Sequence, residues 1–133
     1  MGAWGAGSFE NDDAMDWVCG FSEAPSLEAV KAALTIVVEL GDEYLELPEC
    51  GAAIAAAEVV AAMKGAPNAG LPAELKAWIE NQNVTVNQSL INLSLQALQR
   101  IKTNSEEQEL WGETENPGEW YSQVNDLEAR LRQ

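Results

Sequence analysis

One stretch limits the possible folds more than any other. From Cys50 to Lys64 the chain is dominated by alanine, with Ile54, Val59, Val60 and Met63 as its larger apolar groups. Alanine has the best helix propensity of any residue, and its small side chain lets neighbouring helices approach closely. The stretch is therefore predicted to be the most buried helix of a helical protein, opened by Pro48 and stopped by Gly65.

The other periodicities agree. Ser26 is a good N-cap for a helix from Leu27 to Leu40, with apolar residues at 27, 30, 34, 37 and 38 and Gly41 as its stop. Pro72 opens a short helix whose inward face is Leu75, Trp78 and Ile79. Trp78 there reads as core rather than as a ligand-stacking group. A longer helix is expected from Thr85 to Thr103, carrying Leu90, Ile91, Leu98 and Ile101. Asn104 or Ser105 caps a short acidic helix ending near Gly112. Pro117 and Gly118 lead into a last helix, where Trp120, Val124, Leu127 and Leu131 form a narrow stripe that docks within the chain. Strand alternation and hairpin turns are not evident. The expected architecture is all-α: a compact single-domain bundle of about six helices over residues 1–133, with an irregular Gly/Trp-rich N-terminal segment.

That opening segment is the most unusual part of the sequence. Gly2, Gly5 and Gly7 admit a tightly folded backbone, while Trp4, Phe9 and Trp17 are expected to anchor the segment in the body. Asn11 is placed to cap a helix running to about Phe21, with Asp12 and Asp13 in its first turn, where the helix dipole favours acids. Asp12 and Asp16 are expected to bond nearby backbone amides or an arginine, and Met15, Val18 and Cys19 to face inward. On that basis Asp16→Ala should lower stability. Trp4, Phe9, Asn11, Asp12, Asp16 and Trp17 together form a structural motif.

Charge excludes several functions. The chain has 22 acids, 7 bases and a net charge of −15. Residues 1–50 carry a net −10, residues 51–104 a net +1 and residues 105–133 a net −6. Such a surface opposes nucleic acid and anionic membranes, which need clustered Lys and Arg. Apolar runs fall short of a membrane span, and the acidic start lacks a leader pattern. Gly2 is no myristoylation site, because Ala6 stands where Ser or Thr is required. The expected compartment is the cytoplasm. There Cys19 and Cys50 are small buried hydrophobes, and the sequons at Asn83, Asn87 and Asn92 are chance.

The chain has no histidine. This removes Ser-His-Asp and Cys-His catalysis, the usual zinc sites and the commonest neutral-pH base. No catalytic residue, metal site or cofactor is assigned. What survives is carboxylate chemistry.

The motif Gly2-Ala3-Trp4-Gly5, Gly7, Phe9-Glu10-Asn11-Asp12, Ala14, Asp16-Trp17 resembles the signature of a bacterial family, domain of unknown function 4259. Leu110-Trp111, Trp120, Leu127 and Arg130-Leu131 also fit that family. The resemblance implies a small bacterial cytoplasmic protein without an established activity. It transfers no catalytic residue and no cofactor.

The leading functional expectation is a non-enzymatic protein-binding module, of the kind an immunity-type antagonist presents to a basic partner, monomeric or weakly dimeric. Its candidate acidic surface is Glu10, Asp12, Asp13, Glu39, Asp42, Glu43 and Glu46. One alternative is a carboxylate- or divalent-metal-dependent hydrolase using Glu10, Asp12, Asp13 and Asp16. Two of these acids would then have to share a cleft, one with a perturbed pKa. The spacing matches no EF-hand loop. A further alternative is a structural accessory domain with no small ligand.

Overall fold

The computed structural model describes residues 5–82 and 85–133. Among them the chain forms seven helices: α1 (Asp12–Glu23), α2 (Leu27–Glu39), α3 (Leu47–Met63), α4 (Ala73–Glu80), α5 (Gln88–Thr103), α6 (Glu106–Gly112) and α7 (Pro117–Arg132). The expected all-α class holds, with one helix more than the approximate count. Trp4 and Asn83 lie outside the described residues.

α3 is the axis of the bundle. It packs against all six other helices, and from Ala53 to Ala62 every residue is buried. A helix apolar on every side has no stable place except the centre. Its first turn shows how closely neighbours approach. A Cβ added at Gly51 would lie 2.7 Å from Asp13 Cβ and 3.0 Å from the Ala14 amide nitrogen. Gly51→Ala should therefore force α1 away from α3 and cost roughly 1–3 kcal/mol, as overpacking does. Denaturant unfolding of the variant measures it.

The helix ends follow local chemistry. Asn11 Oδ1 accepts from the Ala14 amide at 2.8 Å, and Ser26 Oγ from the Ala29 amide at 3.1 Å. Ser105 caps α6 through the Gln108 amide at 3.0 Å. Gly41 and Gly65 follow the C-caps of α2 and α3 with φ of 65° and 93°. At the second, Ala66 N–H donates to Ala61 O and Gly65 N–H to Ala62 O, both at 3.0 Å, a Schellman closure.

Three expectations need correction. α5 begins at Gln88, not near Thr85, because Asn87 caps it by accepting from the Leu90 amide at 2.9 Å. Cys19 is exposed and only Cys50 is buried; both are free thiols. Val18 and Phe21 take the inward positions of α1, which turns Cys19 to solvent. Asp12 and Asp16 are exposed and take no hydrogen bond or ion pair among the described residues. Asp16→Ala should then change stability by less than about 0.5 kcal/mol, and a thermal melt beside the wild type tests this.

The described part of the opening segment begins at Gly5. Phe9 is buried. Trp17 stacks on Phe21 with ring centroids 4.9 Å apart, and Phe21 meets Trp78 edge-on at 5.1 Å, tying α1 to α4. Gly7 N–H donates to Glu10 Oε1 at 2.9 Å. The stripe Trp120, Val124, Leu127 and Leu131 is buried, docking α7 against α5 and α3. No helix among the described residues is long and apolar enough to cross a membrane.

Candidate functional site

The acids divide into two populations, internal and external. The internal population centres on Glu58, which is fully buried in the middle of α3. Arg130 from α7 grips it with both terminal nitrogens, Nη1 to Oε1 at 2.8 Å and Nη2 to Oε2 at 3.0 Å. Ser8 Oγ donates to Oε2 at 2.6 Å and Asn68 Nδ2 to the same oxygen at 2.9 Å. Arg130 Nε also pairs with Asp126 at 2.8 Å, and Arg130 Nη1 donates to Ala66 O at 3.2 Å. One carboxylate thus ties together the opening segment, the α3–α4 loop and α7. The carboxylate and aspartate partners hold the guanidinium even more firmly protonated than usual. Glu128, also buried, pairs with Lys102 at 2.6 Å and joins α7 to α5. Glu58 was not among the expected site residues, although it is the one charge between Glu49 and Lys64 in an apolar run.

Glu107, in the first turn of α6, is a different kind of internal acid. It is 7% exposed, and its Oε2 has no hydrogen-bond partner among the described residues. Burial pushes its carboxyl up to about 7, against a smaller downward pull from the Trp120 side chain. Burial, with the Glu107 charge adding to it, pushes the Cys50 thiol up to about 12. Cys50 is therefore an inert neutral thiol.

The external acids collect where α1, α3 and α6 begin. Asp13 is held above the ordinary carboxylate range, first by partial burial and then by the charges of Asp16, Asp12, Glu49 and Glu106. Helix N-termini favour acids, which accounts for each acid singly, and here several meet. The α2–α3 connection joins this face. Glu106 Oε1 accepts from the Leu47 amide at 2.9 Å, and the Glu106 amide donates to Leu45 O at 2.8 Å. Leu45 is fully buried. Arg100 reaches over from α5 and donates to Gly41 O and, at 2.6 Å, to Glu43 O. This guanidinium engages carbonyls, so the loop carboxylates keep their charge outward.

Beside this loop lies a groove of about 540 Å³ lined by Ile36, Leu40, Glu43, Tyr44, Glu46 and Glu49. Ile36 and Tyr44, at 52% and 55% exposed, are the large apolar side chains most open to solvent among the described residues. Tyr44 is nevertheless fixed. Its hydroxyl donates to Glu109 Oε2 at 2.9 Å, a bond that pushes the phenol up to about 12.

The expected acidic surface is therefore divided. Asp12 and Asp13 lie with Glu49 and Glu106, and Glu43 and Glu46 line the groove. Glu39 and Asp42 are exposed at the end of α2 and in the turn after it. Glu10 stands apart, in a second groove with Glu119 and Gln123. No group of three or more metal-ligating side chains converges among the described residues.

The model of one protein family, described as a domain of unknown function (DUF4259), matches residues 2–123. No curated protein and no solved structure matches the chain.

Proposed function

The chain belongs to the DUF4259 family, and from that premise we propose that it is a non-enzymatic binding module for a basic protein. The disposition of charge carries this reading. Among the described acids only Glu58, Glu128 and Asp126 are ion-paired; the first two pairs tie α7 to α3 and α5, and the third lies within α7. The acids at the start of α1 and along the α2–α3 connection, with Glu106 and Glu109 of α6, have no cation partner among the described residues, whereas Glu107 is buried. Like charges gathered this way oppose one another and are relieved by an incoming base. An immunity-type antagonist of a basic nuclease or toxin in a bacterial cytoplasm is the form of module such a surface fits. The two free thiols suit a reducing compartment.

The test is affinity capture with tagged protein at low and at high salt, beside a variant carrying Asp12→Asn, Asp13→Asn, Glu43→Gln and Glu46→Gln. A stoichiometric basic partner is expected at low salt and lost under both other conditions, because charge-steered encounter is screened by salt. Recovery of an acidic partner, or of none, would overturn the reading.

A further inference from the structure

We propose that the groove along α2 and the first turn of α3 is the docking site for a basic amphipathic segment of the partner, which seats an apolar side chain on Ile36, Leu40 and Tyr44 and sets Lys or Arg against Glu43, Glu46 and Glu49. The proposal rests on the reading of a basic partner given above and assigns its site.

Two observations meet here. The first is apolar surface: the two most exposed large apolar side chains fall in one groove of about 540 Å³. Ile36, Leu40 and Tyr44 line this groove together, so the exposed apolar surface is gathered at one place and rimmed by charge rather than scattered. The second is the rim. Glu43, Glu46 and Glu49 take part in no ion pair among the described residues, and Glu49 Oε2 is buried without a hydrogen-bond partner.

Charge decides between occupants. Nucleic acid or an anionic membrane would bring phosphate against three carboxylates. A second copy of this chain would bring another −15 and the same three acids. A basic segment neutralises the rim and desolvates the apolar floor at once. Arg is favoured over Lys beside Tyr44, because the exposed phenol ring offers a face for a guanidinium.

The site is also preorganised. The Arg100 clamp on the Gly41 and Glu43 carbonyls, the buried Leu45 and the Tyr44–Glu109 bond fix the loop before any partner arrives. Little ordering remains to oppose binding.

Three synthetic fluorescent peptides test this by anisotropy and by amide chemical-shift mapping on the full chain. The first carries Leu at helical spacing with Arg between. The second replaces each Leu with Ser at the same charge, and the third replaces each Arg with Glu. The Leu/Arg peptide should bind and shift residues 36–49 and 106–109. The Ser/Arg peptide should bind at least about tenfold more weakly, and the Leu/Glu peptide should not bind. Ile36→Ser should weaken the Leu/Arg peptide by roughly tenfold, as truncating an anchor does. Tyr44→Phe, which keeps the ring but loses the Glu109 bond, should weaken binding less than Ile36→Ser does, and Glu43→Lys with Glu46→Lys should abolish it.

Equal binding of both Arg peptides, indifference to Ile36→Ser, or shifts confined to residues 10–16 would overturn the groove while leaving the basic-partner reading intact. Failure of both Arg peptides to bind at low salt would overturn both. Dimerisation of the free chain that Ile36→Ser abolishes would assign the groove to a second copy and overturn the proposal.

Discussion

Arg130→Ala should destabilise the domain by about 3–5 kcal/mol, the cost of leaving a buried carboxylate without its counter-charge. Glu58 would keep Ser8 Oγ and Asn68 Nδ2 but lose both guanidinium bonds, at 2.8 and 3.0 Å. The released strands of the tie then loosen together: the opening segment, the α3–α4 loop and the end of α7. A fall in Tm of roughly 10 °C or more is expected. Replacing both partners with methionine should recover much of the loss, because two apolar groups carry no unpaired charge. A double-mutant cycle by denaturant unfolding reads both numbers. If Arg130→Ala were no worse than a surface substitution, the Glu58 tie would not be a stabilising feature.

Glu107→Gln should stabilise the protein in a pH-dependent manner. The folded-state pKa of about 7 lies above the ordinary 4.5, so folding favours the neutral carboxyl. The contribution of Glu107 is fully present below about pH 4.5 and is lost as pH rises through 7. Above that, keeping the ionised group buried costs on the order of 3 kcal/mol, the free-energy equivalent of the shift. Glutamine stays neutral throughout. The stability difference between variant and wild type should thus be near zero at pH 4.5 and rise to its full value by pH 8. Other acids titrate in this window, but they are common to both proteins and cancel in the difference. A difference independent of pH would show that the carboxyl is not held neutral by burial.

The parts of this fold legible in the sequence are those decided by neighbours in the chain. Asn11, Ser26 and Ser105 act as caps because each lies three residues before the amide it accepts from. Gly41 and Gly65 end helices because the left-handed turn suits glycine. The centrality of α3 follows from its alanines and needs no knowledge of its neighbours. The start of α5 was legible in principle: Asn87 is a good cap, but Val86 extends the apolar period past it.

What escaped was decided by distant contacts. Nothing near Glu58 in sequence shows that a guanidinium 72 residues away closes on it, although a lone charge in an apolar run is itself a signal for a buried partner. Nothing near Glu107 distinguishes it from Glu106 and Glu109, which are solvated to varying degrees in the same short helix. Asp12 and Asp16 are expected to bond nearby amides or an arginine, yet both lie exposed on the outer side of α1. The candidate groove was half visible. Its acids stood out in the charge distribution, but Ile36, off the apolar stripe of α2, gives no sign in the sequence that it lines a groove with Leu40 and Tyr44.

The Glu58 tie also bears on how the chain is made. Its halves are 72 residues apart, and synthesis at roughly 5–20 residues per second separates them by about 4–14 s. Throughout that interval the central helix exists without its counter-ion. An ionised carboxylate left unpaired in a dry interior is costly, so sealing the helix around which the bundle is arranged before its counter-ion arrives is disfavoured. Closure of the core on the Glu58 side is expected to complete only once α7 has been delivered.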